Sequence, residues 1–298
     1  MQTDYYEILK QELIEKTRFF CQNNGSFQTE IDALSFYKET QPTEFLSMIY
    51  EPSLCLAIQG TKAVGLGTDL FEYDLSSYLL ASVHTPARVR VKQASPAAPY
   101  LGLKIAFSLE QVFDIIHEMD GNTSTKNSKN GLYFGKMKIS LLDAIVRLIR
   151  LIEKPHDRKI LMPLIIKEIL YLVMQEEGGD FIRRYVQDGK IAHQVVKAIS
   201  QIKNHFRENL NVRILAHSVG MSESSLYHHF KKMTTMSPLQ FQKTLRLQEA
   251  RQKLLMQKME IAKIAFDVGY ESPSQFSREY TRMFGLPPKM DAKKAIPF

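Results

Sequence analysis

Apolar positions recur along the chain with two different periods, and the change of period divides it. Between residues 49 and 107, short apolar runs (54–58, 62–66, 70–73, 77–83, 87–92 and 100–107) are separated by Gln59-Gly60, Gly67-Thr68-Asp69, Asp74, Pro86 and Ser95-Pro96. Short strands at close spacing with turn residues between them predict a small antiparallel barrel or sandwich. Ahead of it, residues 4–22 read as a helix with Tyr5, Ile8, Leu9 and Leu13 on one side. Behind it, the run 120–131 is rich in Gly, Asn, Thr, Ser and Lys, too polar to pack, and reads as a mobile loop.

Residues 137–152 and 160–174 then predict two helices, with Pro155 in the connection and Pro163 in the first turn of the second. Leu141, Leu142, Ile145, Leu148, Ile149 and Ile152 form the apolar face of one; Leu161, Leu164, Ile165, Ile169 and Leu172 form that of the other. Faces this broad call for a partner besides the strands, so a homodimer through the helices of residues 137–176 is expected.

From Ile191 the period is helical throughout: Ile191, Val195, Ile199, Ile202 and Phe206 make one buried stripe. Asn211 is positioned to cap a second helix with Val212, Leu215, Ala216 and Val219 inward, and Gly220 ends it. Ser222 then caps a third, whose Leu226 and Phe230 sit four apart on one face. The arrangement recurs about fifty residues later, Ala216 matching Ala265, Gly220 Gly269, Ser222 Ser272, Leu226 Phe276 and Phe230 Tyr280, with Glu271 as one extra residue in the second turn. A duplicated helix-glycine-helix unit follows, each glycine standing where the turn needs a left-handed residue. Between the copies, Ser237-Pro238-Leu239-Gln240 reads as a capping box that launches a long helix, and Ser272-Pro273-Ser274-Gln275 repeats the box.

Charge follows the same division. The 298 residues include 39 Lys plus Arg and 32 Asp plus Glu, a formal net charge of +7. Residues 1–185 hold 21 basic and 23 acidic side chains (−2), the remainder 18 and 9 (+9), so the basic character belongs to the duplicated helical part. Two domains are expected, 1–185 for the strands and the dimerising helices and 186–298 for the helical repeat, with units at about 211–232 and 260–283 and a hinge at Asp188-Gly189-Lys190. Two cysteines, Cys21 and Cys55, cannot staple a chain of this length, and the N-terminus has no secretory pattern, so the cytoplasm is the expected compartment. Lys167 and Glu168 interrupt the most apolar stretch, which leaves no membrane span and no membrane partner to expect.

The C-terminal residues resemble the DNA-binding domain of the AraC/XylS family of bacterial transcription regulators over about residues 190–288. The resemblance is carried by Leu215-Ala216, Gly220-Met221-Ser222, Leu226, Phe230-Lys231 and Ser237-Pro238, then by the unbroken run from Ile264 to Arg278, by Phe284-Gly285 and by Pro287-Pro288. Fragments such as Pro52-Ser53-Leu54, Gln59-Gly60, Tyr73-Asp74 and Ala94-Ser95-Pro96 are similar to the family's N-terminal sensor. The resemblance implies an α+β chain: a cupin-like small β-barrel with flanking helices, then an all-α domain of two helix-turn-helix units joined by a long helix. It implies a transcription regulator, not an enzyme, whose partners are double-stranded DNA across two adjacent major grooves, a small-molecule effector and, for an activator, RNA polymerase.

Carried onto this sequence, the base-facing role falls on Ser224, Tyr227 and His228 in the first unit and on Pro273, Ser274, Ser277 and Arg278 in the second. Arg278 is the strongest candidate, because a guanidinium gives two parallel hydrogen bonds to guanine O6 and N7; its alternative is a surface ion pair with Glu279 or Asp267. His228 stands where the family often has arginine and makes fewer bonds, so the first unit is expected to discriminate less. Phosphate contacts are expected from Lys231, Lys232, Arg246, Arg282 and Lys289 and from the capped helix starts at Ser237 and Ser272. Neighbouring His228 and His229 point about 100° apart and do not form a metal pair.

In the barrel, Tyr50, Tyr78 and Tyr100 are candidate polar handles of an effector pocket, with plain core packing as the alternative. A metal-dependent cupin-type oxygenase is the competing class. It needs several converging His and carboxylate ligands, and only His84 lies among the strands, with His117 and His156 beyond, so no metal site, no catalytic residue and no cofactor is expected. Cys55 sits in an apolar strand and reads as a buried small hydrophobe, with a redox or electrophile sensor as a minor alternative.

Overall fold

The computed structural model describes residues 2–82, 85–119, 132–176, 179, 189–256 and 260–294. The chain divides into two compact units, Met1–Phe45 with Ile49–Val186, and Gln187–Phe298 with Leu46–Met48. His84, the polar run 120–131 and Asp188 of the expected hinge lie outside the described residues. Gly189 and Lys190 are already helical, because the turn ahead of the Ile191 stripe continues it without a break.

The first unit opens with helix α1 (Gln2–Phe20). Ten strands follow: β1 (Gly25–Gln28), β2 (Leu34–Glu39), β3 (Leu46–Tyr50), β4 (Ser53–Gln59), β5 (Thr61–Leu66), β6 (Asp69–Tyr73), β7 (Ser77–Ala81), β8 (Thr85–Gln93), β9 (Tyr100–Ala106) and, after helix α2 (Leu109–Glu118), β10 (Leu132–Lys136). They form a six-stranded sheet in the order β1-β2-β9-β4-β7-β10 and a four-stranded sheet in the order β3-β8-β5-β6. The barrel is therefore cupin-like but open, and it recruits β1, β2 and β10 from outside residues 49–107.

Register decides which side chains share a face. Opposite partners Cys55↔Lys104, Ala57↔Gly102 and Cys55↔Leu79 present one side of the six-stranded sheet, while Leu54↔Leu80, Leu56↔Tyr78 and Leu56↔Leu103 present the other. The second side is covered by helices: Leu9 and Leu13 of α1 are fully buried, Phe20 stacks on Phe36 of β2, and α1 also packs on helix α3 (Ile139–Arg150). The buried edge of α1 runs through Leu9, Leu13 and Thr17, four residues apart. Ile8, expected on that edge, is exposed because it falls one residue off this line, and Tyr5, on the line but one turn nearer the helix start, is exposed with its hydroxyl donating to Asp143 of α3 at 2.6 Å.

After a 3-10 turn (Leu151–Glu153), helix α4 runs from Pro155 to Met174. It starts earlier than its apolar pattern suggests. Pro155 stands in the first turn, where its fixed φ suits a helix start, and Pro163 lies inside the helix. Ile165, Ile166, Ile169, Leu170, Val173 and Met174 are buried, whereas Ile160, Leu161, Leu164 and Tyr171 are exposed. Arg147 of α3 joins Asp143 at 2.9 Å and Glu168 of α4 at 2.6 Å, and Arg150 makes a two-pronged bond to Glu12 of α1 at 2.7 and 2.6 Å. These pairs are partly solvated and contribute about 0–1 kcal/mol each, so apolar burial holds the helices in place.

Apart from Leu46–Met48 of β3, the elements described in the second unit are all helices: α5 (Gly189–Asn204), α6 (Val212–Ser218), α7 (Glu223–Thr234), α8 (Pro238–Met256), α9 (Ile261–Asp267), α10 (Pro273–Phe284) and α11 (Pro288–Lys294). With 19 residues, α8 spans about 28 Å. Its Phe241 meets Phe230 of α7 edge-on at 5.4 Å, while Leu247, Ala250 and Leu254 join the core of Ile264, Ala265, Val268, Phe276, Tyr280 and Phe284. One helix thus supplies a wall to both copies of the repeat. No helix among the described residues is long and apolar enough to cross a membrane.

Candidate nucleic-acid interface

Each copy of the repeat is built by the same backbone device. In the first, Asn211 accepts a hydrogen bond from the Ile214 amide at 3.1 Å, and α6 ends where the Gly220 and Met221 amides donate to the His217 and Ala216 carbonyls. In the second, the Gly269 and Tyr270 amides donate to Phe266 and Ala265 in the same way. Both glycines have positive φ, 71° and 92°, which closes the turn and redirects the chain into the next helix. Ser222 and Ser272 then cap α7 and α10 by accepting from the Ser225 and Gln275 amides.

The buried and open faces of these two helices follow. Leu226 and Phe230 are buried under α7, Phe276 and Tyr280 under α10. On the opposite side of α7, Ser224 and His228 are exposed and Tyr227 is half-buried. On α10, Ser274 and Arg278 are exposed, Pro273 and Ser277 are half-buried, and Ser277, Arg278, Thr281 and Arg282 line one open groove. The ion-pair alternatives for Arg278 are taken up elsewhere. Glu279 accepts bonds from Lys243 at 2.9 Å, Tyr270 at 2.8 Å and Gln275 at 3.2 Å, and Asp267 pairs with Lys253 at 3.5 Å. Burial alone would raise the Glu279 carboxyl, but these three donors outweigh it and hold the group below its ordinary range. Arg278 has no ion pair among the described residues.

Two expectations about this half are corrected. Arg246 was expected at phosphate, but the residue is only 9% exposed and its guanidinium donates to the carbonyls of Phe206 at 2.7 Å, Arg207 at 3.1 Å and Glu208 at 2.8 Å. It satisfies chain-end acceptors beyond α5, which commits its Nε and Nη2 donors to the interior and not to a phosphate. Gln242, one turn earlier, donates to Phe206 and Glu208 at 3.0 and 2.6 Å, a role with no cue among its neighbours in the chain. The second capping box is only half formed, because Gln275 turns to Glu279; Ser237 and Gln240 make both bonds of the first. Lys231, Lys232, Arg282 and Lys289 are exposed.

The same segment ties the copies together. A Cβ on Gly269 would lie 2.2 Å from the Arg207 carbonyl oxygen, Asn209 donates to Glu271 at 3.2 Å, and Arg246 lies over the Tyr270 ring at 5.8 Å. At the far end, buried Asp291 of α11 accepts from Tyr280 at 2.7 Å and Arg251 at 2.9 Å, which fixes α10 from behind.

In the first unit the structure separates the three candidate tyrosines. Tyr78 points to the helix-covered side, over Gly135, where a Cβ would lie 2.2 Å from its ring. It cannot share a pocket with Tyr100, whose ring covers Gly102 on the other side. Tyr50 lies with Tyr100, together with Tyr73, Cys55, Lys62 and Lys104, residues whose long-range grouping leaves no local pattern. Burial pushes the Cys55 thiol up, against the pull of Lys62, which disfavours a reactive thiolate. Among the described residues, no three of His, Cys, Asp and Glu group to hold a metal.

A two-sheet sensor-like unit and a duplicated helix-turn-helix define a class of regulator, and comparison with known proteins gives the family. Residues 30–181 match the AraC-type transcriptional regulator N-terminus and residues 215–293 match a helix-turn-helix domain. The chain belongs to the AraC-type family of transcriptional regulators. It is 26% identical over 147 residues to the lactose operon transcription activator of Staphylococcus xylosus, covering 49% of this chain and 52% of that protein. It is 30% identical over 114 residues to the raffinose operon transcriptional regulatory protein RafR of Pediococcus pentosaceus, covering 37% and 41%. The chain thus spans about half the length, or less, of the curated relatives it matches. Its fold is that of ToxT from Vibrio cholerae, with a TM-score of 0.62 at 12% identity over 89% of this chain and 98% of that one.

Gly269→Ala combines a strained φ with a backbone clash, whereas the Cβ of Gly220→Ala meets only the movable Gln194 side chain at 3.2 Å. The first is expected to cost about 2–3 kcal/mol and the second about 1 kcal/mol. Equilibrium unfolding followed by circular dichroism compares them, and equal losses would remove the Arg207 contact from the explanation.

Proposed function

We propose that this protein is a sequence-specific transcription regulator in which α7 and α10 enter two adjacent major grooves of one DNA duplex. The observation that carries the reading is the pair of capped helices with open outer faces, built on the same glycine turn and standing on one rigid helix. The net +9 of this half supplies the sequence-independent attraction, through Lys231, Lys232, Arg282, Lys289 and the helix starts at Ser237 and Ser272. Base choice falls to Ser224, Tyr227 and His228 and to Pro273, Ser274, Ser277 and Arg278, with Arg278 dominant because its guanidinium is unengaged and outward. An activator of this kind also meets RNA polymerase.

The first unit, residues 1–185, acts in this reading as sensor for a small-molecule effector that biases the DNA-binding half, 186–298. In support, a protein of the same fold, ToxT of Vibrio cholerae, is known with an unsaturated fatty acid bound. Dimerisation uses the outer face of α4, where Ile160 is 68% and Leu164 58% exposed beside Leu161 and Tyr171. Single exposed apolar residues are ordinary, but four on one helix call for cover.

Arg278→Ala is expected to flatten base preference at one position of the site by roughly tenfold while leaving binding to unrelated DNA within about twofold. Titrations against a set of single-base variants measure this, and uniform weakening across the set would reassign Arg278 to phosphate. Sedimentation of the full chain over micromolar concentrations is expected to give a dimer that Leu164→Asp dissociates; a monomer at every concentration, or a dimer indifferent to the substitution, removes α4 as the interface.

A further inference from the structure

We propose that Glu279 is the positioning residue of α10: fastened to three other side chains of the second unit, it fixes the rotation of the helix about its own axis and so the direction in which Arg278 leaves it. This assignment rests on the DNA-reading proposal above and adds to it the residue that aims the principal base-reading side chain.

At about 100° per residue, Glu279 stands between Tyr280, which is fully buried, and Arg278, which is exposed. Phe276, Tyr280 and Phe284 form one apolar stripe under α10. Apolar burial is non-directional, so a stripe of rings keeps the helix on the core without fixing how far it rolls. Glu279 supplies the directional part. Its carboxylate, with the side chain only 13% exposed, accepts from Lys243 of α8 at 2.9 Å, from the Tyr270 hydroxyl at 2.8 Å and from Gln275, one turn earlier on α10, at 3.2 Å. Lys243 and Tyr270 pull from outside α10, and bonds to a charged acceptor are the strong ones. The Tyr270 ring is itself held in place, buried and edge-on to Phe276 at 5.4 Å, with the Arg246 guanidinium over its face.

The first copy of the repeat gives the contrast. His229 stands at the place of Glu279, Met221 at that of Tyr270 and Ser225 at that of Gln275, so the arrangement is not repeated. Nor is the bond from Tyr280 to Asp291, whose places are taken by the rings of Phe230 and Phe241. The two copies share their glycine turns, their serine caps and their apolar anchors, and they differ in this fastening. The fastened copy is the one whose outer face carries a guanidinium. Two parallel bonds to one base tolerate little misalignment, and a recognition side chain has to be held within about 0.5 Å and 10–20°. Engaging the carboxylate also withholds it from Arg278, its neighbour in the chain, which keeps the guanidinium available for a base.

Binding of the full chain to the duplex it selects from a random pool, to single-base variants of that duplex and to an unrelated duplex of the same length tests the assignment. Glu279→Ala is expected to lower discrimination at the base that Arg278 reads by about fivefold or more. The unrelated duplex should bind equally well or up to about threefold better, since an acidic charge is gone from a DNA-facing helix. Glu279→Gln removes the same charge but keeps an acceptor for Lys243 and a donor for the Tyr270 oxygen, so discrimination should stay within about twofold of the unaltered protein. Tyr270→Phe, which takes only the hydroxyl from a buried ring, should lower discrimination by about two- to threefold without weakening the unrelated duplex. In an Arg278→Ala background, Glu279→Ala should change discrimination by less than about twofold, the mark of a residue that acts through Arg278. Proportional weakening of every duplex, or an effect of Glu279→Ala that persists undiminished without Arg278, would overturn the positioning role. So would discrimination that neither Glu279→Ala nor Tyr270→Phe alters. If Arg278→Ala itself left discrimination unchanged, the base-reading assignment would fall, and the role of Glu279 with it.

Discussion

The second unit depends on one buried polar interaction: Gln242 and Arg246, four residues apart on α8, grip the carbonyls of Phe206, Arg207 and Glu208. Those carbonyls lie just past α5, where no helical partner remains to take them, and the side chains that satisfy them are almost fully buried. A charged group can be buried here because its Nε and Nη2 donors end on three carbonyl oxygens. The grip does more than close a helix end. It seats residues 206–209 against α8, and Gly269 and Glu271 of the second turn pack on the same residues. The two copies of the repeat are thereby referenced to one piece of backbone. Their relative placement is set by geometry rather than left to a linker, which is the property a two-groove reader needs.

The two halves of the molecule divide the work by physical type. The helical half is basic and open on its outer faces, which carry the short and long polar side chains assigned above to DNA in the proposal. The sheet half is close to neutral overall and buries Tyr50, Tyr73 and Tyr100 together among its strands. Cys55 illustrates how environment decides role: in the midst of two lysines it is still a thiol, because desolvation outweighs their field.

Much of this was legible in the sequence, and the reason is locality. The glycine turns, the serine caps and the strands between residues 53 and 106 all announce themselves within a few neighbours, so Gly220, Gly269, Ser222 and Ser272 fall where the pattern puts them. The readings that changed depend on distant partners. Arg246 looks like any basic residue on a helix until the carbonyls about forty positions earlier are seen beside it. Tyr78 and Tyr100 are both tyrosines in strands, and only the pairing register sends one to the helices and the other to the interior. β2 and β10 are short, and β10 follows a polar run, so neither makes a convincing strand alone. Lys62 and Lys104, forty-two positions apart, converge only when two sheets face each other.

The most direct test of the central claim, that one chain reads two adjacent grooves at a fixed separation, is selection of bound duplex from a random pool by the full-length protein. The account predicts two short sub-sites about 10 base pairs apart, with binding lost when about five base pairs are inserted between them, since that turns one sub-site to the far side of the helix. A single sub-site, or two that tolerate the insertion without loss of affinity, would contradict it.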